Sequence, residues 1–439
     1  MPDQKLPLKT KILYSFGQFG VTIPTYFIGL YLFTFYAPTS GKIIVPAMTV
    51  AVAYFLGTLV QALANPIIGG VSDRSHFRAG RRKFFMITGF APLVLFFLLI
   101  WFPLSGDGLG EALLFAYMIG FNFLYAYVIA PYLSLIPEIS VTSRDRIRLT
   151  AISGYFSIFG IILSSLVPII MLGLNYPLPY AAAVLSILVF VSFLLAYVST
   201  TENPQHHKVP EYSLTQAIAQ TFRNKTFNRY IFAYSAFQFG FYFFVTSLGY
   251  YVENLIYPHH GYKMVLALLS LVAVLSAVVL SVFLVRYSDR HGEKKTFVVF
   301  TSYLGVVLML TAFVGITGFL SNLWQAVILM IVAGPGLASY FILPNAVVSE
   351  IIDEDEVITG YRREAMYFGI QGLLERIPSS LAVLAVGAWM TFVFIPTGNM
   401  IFIRLLGVIG GSFVILTSVL FRFVPLKEDI LRHGDNREP

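Results

Sequence analysis

The sequence predicts an all-α membrane protein in which twelve transmembrane helices form two pseudo-symmetric six-helix bundles. The composition, the number of long apolar runs and a motif present in each half of the chain lead to this prediction. Of the 439 residues, 57% are apolar and only 12% are charged, and the mean hydropathy is +0.77. Such a chain has too little polar surface to cover a soluble globule. We therefore expect it to be integral to a lipid bilayer.

Twelve apolar runs are long enough to cross a bilayer, since a spanning helix needs about 20 mostly apolar residues. The runs are 12–36, 43–71, 83–105, 111–137, 148–172, 178–199, 228–256, 262–287, 295–319, 323–349, 365–392 and 399–424. The first run is too long for the apolar core of a signal peptide and has no small-residue cleavage site. We expect it to be a membrane helix that is retained.

The basic residues predict the orientation of these helices. With a cytoplasmic N-terminus, nearly all of the 29 lysines and arginines fall on the cytoplasmic side. The exceptions are Lys42, Lys263 and Arg404, which lie toward the outside, and Arg376, which lies within a helix. By the positive-inside rule both termini are cytoplasmic, and we expect the plasma (inner) membrane. The net charge of +7 reflects this topology, so no nucleic-acid partner is needed to explain it.

One long polar connection divides the chain. Residues 200–227 are predicted to be a cytoplasmic linker with a short amphipathic helix that begins at Ser213. The linker separates an N-terminal six-helix bundle, residues 1–199, from a C-terminal six-helix bundle with a cytoplasmic tail, residues 228–439.

Three motifs recur in the same order in the two halves. They are YSFGQFG at 14–20 and YSAFQFG at 234–240, SDR at 72–74 and 288–290, and PYLSLIP at 131–137 and SYFILP at 339–344. A single recurrence could reflect the small and aromatic residues common in membrane helices, but three in order indicate an internal duplication. Two parallel six-helix repeats are typical of major facilitator transporters, in which the substrate binds between the halves near mid-membrane.

The segment between the tenth and eleventh helices carries the most specific motif. The pattern DxxExxTGxRxE is matched at Asp353, Glu356, Thr359, Gly360, Arg362 and Glu364. Together with YSFGQFG, NPIIG and APYLSLIP, this segment resembles the glycoside-pentoside-hexuronide:cation symporter family of the melibiose-carrier type. Eukaryotic lysophospholipid symporters are distant relatives of that family. The resemblance covers nearly the whole chain and implies transport by alternating access.

Charged cytoplasmic segments are candidates for a gate. The loop after the second helix resembles the hinge and latch loop of major facilitator proteins, and it has a counterpart in the second half. The acidic cluster beside Arg362 suggests ion pairs that break and re-form during transport. The alternatives are a purely topogenic role for the arginines and a solvated charge run of little energetic value. The gate candidates are Asp73, Arg74, Arg81, Arg82, Asp289, Arg290, Asp353, Glu356, Arg362 and Glu364.

The cation site of the family is altered in this chain. The resemblance places Gln61 and Asn65 where melibiose-type carriers have two carboxylates that ligate sodium or a proton. The two amides share a helix face at i and i+4, but they supply neither charge nor a titratable proton. We expect weak or absent sodium dependence through this degenerate site. Facilitated diffusion, exchange, or a proton carried by Glu375, Glu138 or Glu253 remain open.

The positions that bind sugar in the family are also changed. The acids of spans one and four, the tryptophan of span four and the arginine of span five are replaced. The aligned residues are Thr22, Ile129, Leu133 and Gly154. We therefore do not expect this chain to bind sugar hydroxyls through the residues that the family uses.

The eleventh helix keeps two polar residues where the family has a glutamine and a lysine that face the cavity, Gln371 and Arg376. A charge near mid-membrane costs at least ~2.5 kcal/mol and is functional by default. We expect Arg376 to meet an anionic group of the substrate, because guanidinium binds carboxylate or phosphate in bidentate fashion. The alternative is a structural pair of Glu375 or Arg376 with a neighbouring helix. Weaker substrate-binding candidates, each of which could instead join helices, are Thr22, Gln18, Tyr26, Asn122, Tyr155 and Gln238.

These features predict a secondary transporter of a small organic solute, with a glycoside or an anionic sugar derivative as the leading substrate. One alternative is a lysophospholipid-like amphiphile whose phosphate meets Arg376, and another is a non-transporting solute sensor. We expect no enzyme, metal or cofactor, because the sequence has no nucleophile-base pair, metal-ligand cluster or phosphate loop. The expected partners are the substrate, the bilayer and, as an open question, a coupling sodium ion or proton. We expect a monomer.

Overall fold

Twelve helical segments in the described part of the chain are long and apolar enough to span a membrane. The structure is a computed structural model that describes residues 6–75, 77, 80–103, 109–140, 143–200, 202, 221–258, 261–316, 318, 320–359 and 364–426. The helices belong to two compact units, Met1–Glu211 and Tyr212–Pro439. The twelve predicted spans are confirmed, whereas the predicted linker helix lies outside the described residues.

Unit 1 holds the first six spans. Its helices are α1 (Leu8–Phe16), α2 (Gln18–Tyr36), α3 (Ala47–Arg74), α4 (Lys83–Ile100), α5 (Leu109–Ser134), α6 (Ile136–Ile139), α7 (Ser143–Gly173) and α8 (Leu178–Ser199). The first span consists of α1 and α2, which are separated only at Gly17. The other spans of this unit are α3, α4, α5, α7 and α8.

Unit 2 holds the last six spans. Its helices are α9 (Lys225–Tyr251), α10 (Tyr262–His291), α11 (Glu293–Leu310), α12 (Asn322–Thr359), α13 (Glu364–Leu374), α14 (Arg376–Trp389), α15 (Ile395–Thr397) and α16 (Met400–Phe421). A π-helical turn, Val252–Ile256, extends α9, and another, Met390–Phe394, joins α14 to α15. The eleventh span is therefore built from α13, α14, the second π-turn and α15.

Short polar residues and glycines mark several helix ends in unit 2. The side chain of Asn224 accepts a hydrogen bond from the backbone N–H of Phe227 at 3.0 Å, which caps α9. Asn399 caps α16 in the same way. Such caps satisfy backbone donors that have no partner within the helix. Gly292 and Gly398 follow α10 and α15 with φ angles of 82° and 61°, a region that favours glycine.

The pattern of helix pairing is the same in the two units. In unit 1, α2 packs on α7 and α8, α3 packs on α5, and α4 packs on α5 and α8. In unit 2, α9 packs on α14 and α16, α10 packs on α12, and α11 packs on α12 and α16. Each of these contacts in unit 1 joins two spans whose equivalents are also in contact in unit 2. The internal duplication inferred from the repeated motifs is thus present in the packing.

The repeated motif that begins each unit provides a close helix contact. A Cβ atom on Gly240 would lie 2.6 Å from the carbonyl oxygen of Gly410, so only glycine allows α9 and α16 to approach this closely. Its equivalent in unit 1, Gly20, lies directly against the ring of Phe193 on α8. The motif therefore recurs partly because the first span of each unit packs tightly on the last.

A buried ion pair ties the start of unit 1 together. Lys11 Nζ lies against Asp145 Oδ1, and the two side chains are 5% and 4% exposed. The second carboxylate oxygen of Asp145 accepts a hydrogen bond from the backbone N–H of Leu6 at 3.2 Å. The first residues of the described chain are thereby held to the start of α7.

Candidate functional site

The eleventh span is interrupted at the point where its polar residues occur. α13 ends at Leu374 and α14 begins at Arg376, with Glu375 between them. Pro378 has no N–H to donate to the carbonyl of Leu374, which removes one helical hydrogen bond at this point. The N–H of Glu375 still bonds to the carbonyl of Gln371 at 2.9 Å. Helical geometry is thus kept from Gln371 to Glu375, and the two side chains share a face.

Two side chains of α9 contact the carboxylate of Glu375. The hydroxyl of Tyr234 donates to Oε2 at 3.4 Å, and the amide of Gln238 donates to the same oxygen at 3.3 Å. The Gln238 amide also lies 3.0 Å from the Tyr234 hydroxyl. Tyr234 and Gln238 are one turn apart on α9 and are only 4% and 2% exposed. A partly buried carboxylate is therefore held by neutral donors inside the bundle.

Two buried amide oxygens, one on Gln238 and one on Gln371 a helical turn before Glu375, have no donor among the described residues. Within the part of the chain that the structure describes, neither Gln238 Oε1 nor Gln371 Oε1 has a hydrogen-bond partner. Gln371 is 5% exposed. Buried acceptors are normally satisfied, so each one that is not calls for an explanation. We refer to Tyr234, Gln238, Gln371 and Glu375 as the unit 2 polar cluster.

Arg376 follows the cluster directly and is partly buried. Its charge acts on the Glu375 carboxylate, which places a cation and an acid side by side within the span. The contacts of Glu375 with α9 agree with the alternative that this acid joins neighbouring helices. A substrate-binding role for Arg376 stays a prediction.

The equivalent position in unit 1 is occupied by hydroxyl groups. Gln18, the repeat mate of Gln238, accepts a hydrogen bond from the hydroxyl of Ser157 on α7 at 3.3 Å. The hydroxyl of Thr22 donates to the backbone carbonyl of Gln18 at 2.6 Å, and Ser15 and Ser153 are joined at 2.9 Å. The repeated glutamine thus meets a serine in unit 1 and a carboxylate in unit 2.

The remaining candidates of unit 1 are spread over several environments. Asn122 is buried, and its amide donates to the carbonyl of Met118 on its own helix at 2.7 Å while lying against Gly57. Tyr155 is 65% exposed, and Tyr26 is partly buried. A role of these three side chains in substrate binding stays a prediction.

The degenerate cation site lies on α3. Gln61 is buried at 4% exposure and Asn65 is partly buried one turn further on. Among the described residues, no group of three or more His, Asp or Glu side chains is arranged to hold a metal ion. The expectation that the family's cation site is lost therefore still rests on Gln61 and Asn65, whose amides carry no charge.

A dense ionic cluster lies at the predicted cytoplasmic end of unit 1. Arg81 pairs with Glu138, and Arg82 Nη1 lies 3.0 Å from the same carboxylate oxygen. The carboxylate of Glu202 accepts backbone hydrogen bonds from Arg81, Arg82 and Lys83 at 2.9, 2.9 and 2.6 Å. The sequence singled out the two arginines. Their partners were missed as gate residues, although Glu138 directly follows the PYLSLIP motif.

A glycine makes room for this cluster. Gly80 has a φ angle of 100°, and a Cβ atom there would lie 2.8 Å from Glu202 Oε1. The Gly-Arg-Arg sequence is therefore a binding turn for the Glu202 carboxylate. This explains locally why glycine precedes the two arginines.

The other predicted gate residues are exposed, partly buried or outside the described residues. Asp289, Arg290 and Asp353 are exposed and Glu356 is partly buried. Arg362 lies outside the described residues, as do the side chains of Asp73, Arg74 and Glu364. The ion-pair lock expected beside Arg362 stays a prediction.

The chain matches the family described as MFS/sugar transport protein over residues 13–428. This match covers nearly the whole sequence, and it agrees with the resemblance noted for its motifs. The chain belongs to the MFS/sugar transport family. It is accordingly a secondary transporter of the major facilitator superfamily and not an enzyme.

Individual relatives of this MFS/sugar transport protein include a symporter and a sugar carrier homolog. An uncharacterized symporter, sll1374, of Synechocystis sp. is 35% identical over 37% of the chain and 30% of its own length. A glucuronide carrier protein homolog of Escherichia coli is 28% identical over 35% of the chain and 33% of its own length. Each match thus spans about a third of the relative.

A solved structure shows the fold over nearly the full chain. The crystal structure of a mutant of the nucleoside transporter NupG superposes with a TM-score of 0.70 and 14% identity. The superposition covers 95% of this chain and 99% of the other. The MFS/sugar transport protein therefore has the twelve-span major facilitator fold that its sequence predicts.

Proposed function

We propose that this transporter carries a glycoside or related sugar derivative that bears a negative charge, such as a hexuronide. The observation that carries the proposal is Arg376, a cation within the eleventh span. A guanidinium stays charged at physiological pH and presents planar donors that match a carboxylate. Keeping such a charge at membrane depth is costly and is typical of a substrate or ion pathway.

One relative supports a sugar-type anion. The name of the Escherichia coli relative refers to a glucuronide, a sugar whose carboxylate could pair with Arg376. The changes at Gln61 and Asn65 support the further proposal that sodium does not bind at the family's usual site in unit 1. Movement by alternating access follows from the major facilitator architecture.

The test compares a matched pair of solutes in proteoliposomes. Counterflow of a radiolabelled β-glucuronide and of the corresponding neutral β-glucoside is measured for the wild type, Arg376→Gln and Arg376→Lys. Arg223→Gln is the control, because it removes the same charge from an exposed side chain. A charge-assisted hydrogen bond contributes about 1.5–3 kcal/mol, so Arg376→Gln should weaken glucuronide binding about 10- to 100-fold. Binding of the glucoside should change little.

Several results would contradict the proposal. An equal loss of both solutes would make Arg376 a structural residue. A wild-type protein that moves neither solute but carries a lysophospholipid would favour the amphiphile alternative. Saturable binding without any flux would favour a sensor.

A further inference from the structure

Three carboxylates in or next to the membrane helices, Glu138, Glu253 and Glu375, are candidates to carry a coupling proton. Glu138 is paired with two arginines at the end of its span. Glu253 lies in the π-helical turn that ends the seventh span, where the charge of Lys263 acts on it. Glu375 has Arg376 next to it in the chain and, in addition, accepts hydrogen bonds from the neutral donors Tyr234 and Gln238 on another helix.

We propose that Glu375 is the proton-binding group that couples solute movement to a proton gradient. The inference rests on the proposed transport function and assigns its coupling site to unit 2, in place of the altered site at Gln61 and Asn65 in unit 1. In each cycle a proton from the acidic side binds a carboxylate oxygen of Glu375 and forms an O–H bond. The same proton leaves to the other side when the carboxylate is next exposed there.

The unit 2 polar cluster can satisfy both protonation states. An ionised carboxylate accepts hydrogen bonds only, and Tyr234 and Gln238 supply two donors to it. A protonated carboxyl group gains one donor and needs an acceptor. The oxygens Gln371 Oε1 and Gln238 Oε1 are acceptors without a partner among the described residues. The cluster therefore contains a group for each state, which a purely structural carboxylate would not need.

The position of Glu375 within its span is consistent with this role. From Met366, the first residue of the span, to Glu375 the rise is about 13 Å at 1.5 Å per residue. The hydrocarbon layer is about 30 Å thick. The span is longer than that layer, so this count places Glu375 within the eleventh span without fixing its depth, and ionisable residues within spans are typical of proton relays.

Arg376 supplies a link between the proton and the substrate. Among the described residues, the charged and titratable groups that act on Glu375 are Arg376 and, from other helices, Tyr230, Tyr234 and Tyr340. An ionised Glu375 competes with an anionic solute for the charge of Arg376, whereas a protonated Glu375 does not. Proton and anionic solute should thus increase each other's affinity, since linkage is reciprocal.

The duplication provides an internal comparison. At the equivalent place in unit 1 the repeated glutamine, Gln18, contacts the hydroxyl of Ser157. A serine hydroxyl does not titrate in the physiological range. The two equivalent clusters therefore differ in one group. Unit 2 has the Glu375 carboxylate, which can titrate, where unit 1 has the Ser157 hydroxyl.

The experiment uses the full-length protein in proteoliposomes with the β-glucuronide as solute. One proton moving with one anion transfers no net charge, so a gradient of one pH unit should drive about tenfold accumulation. A membrane potential alone should drive none. Glu375→Gln should abolish accumulation while counterflow continues. Glu253→Gln, the matched buried carboxylate, should accumulate the solute as the wild type does.

A second variant changes the proton affinity without removing the carboxylate. Tyr234→Phe removes a donor to the ionised form, which favours protonation. The pH of half-maximal flux should move to higher values in this variant. An unchanged pH profile would contradict the assigned role of Tyr234 and Glu375 as one titrating unit.

An infrared measurement keeps the inference testable without flux. A pH-difference spectrum of the purified protein should contain a carboxylic acid C=O band that titrates. The band should be lost in Glu375→Gln and kept in Glu253→Gln, and its absence in the wild type would overturn the inference. A wild type that moves the glucuronide without responding to the pH gradient would overturn it while the proposed function stands. A wild type that moves no glycoside yet shows the band would refute the proposed substrate alone.

Discussion

Replacement of Glu202 by glutamine should loosen the predicted cytoplasmic end of unit 1. The Glu202 carboxylate accepts three backbone hydrogen bonds, from Arg81 through Oε2 and from Arg82 and Lys83 through Oε1. These N–H groups precede or open α4, where the first donors of a helix have no partner within it. A negative charge at this end is also favoured by the helix dipole.

Each of the three hydrogen bonds contributes to the expected decrease in the free energy of unfolding. The glutamine side chain keeps one carbonyl oxygen, which can still accept from Arg82 and Lys83, but its amide group replaces the acceptor for Arg81. The lost bond and the weakening of the other two from charge-assisted to neutral each correspond to about 1 kcal/mol. Since Glu202 is partly exposed, solvent offsets part of this sum. We expect the free energy of unfolding to decrease by about 2 kcal/mol.

Thermal unfolding in detergent measures this loss. For a unit of this size about 2 kcal/mol corresponds to a decrease in Tm of roughly 4–8 °C. Glu111→Gln is the control, since it makes the same change at an exposed carboxylate in the first turn of α5. A Tm for Glu202→Gln equal to that of the wild type, or an equal decrease in both variants, would refute the reasoning.

Two further predictions concern the packing of each unit. Gly240→Ala should sharply reduce the yield of folded protein on size-exclusion chromatography, because its Cβ would lie 2.6 Å from the Gly410 carbonyl oxygen, whereas Gly29→Ala has open space and should be tolerated. Equal yields would show that α9 and α16 can separate at little cost. Lys11→Met should destabilise unit 1 by about 3 kcal/mol, since it removes the ammonium group that pairs with the buried Asp145 carboxylate. The double variant with Asp145→Asn should recover much of that loss in the same Tm assay, and no recovery would argue against the pair as the cause.

The parts of the fold that the sequence predicted depend on the bilayer. Each span needs a long apolar run, and each cytoplasmic connection needs basic residues, so both signals are local in the chain. The duplication was also readable, because Gln18 and Gln238 lie in motifs that recur in order. Gln238, Gln371 and Arg376 were singled out as polar residues in apolar spans, and the first two proved to lie in one cluster.

The sequence did not predict which residues contact each other in these clusters. Tyr234 and Glu375 are 141 residues apart, and Arg81 and Glu202 are 121 residues apart. Nothing in the sequence near either residue indicates its partner. Tyr234 begins the repeated motif YSAFQFG, but the motif does not indicate that its hydroxyl contacts a carboxylate on another helix, and Glu202 is one acid in a polar segment.

By itself the sequence determined the class of protein, the twelve spans, the two-fold internal repeat and the family, because each follows from patterns within about 20 residues or from matched motifs. Only the tertiary structure decided which carboxylate has which environment. Glu138 is fixed by arginines, whereas Glu375 accepts hydrogen bonds from neutral donors, and nearby amide oxygens have no partner among the described residues. The physical reason is that the behaviour of an acid in a membrane depends on the charges and donors that distant helices bring to it.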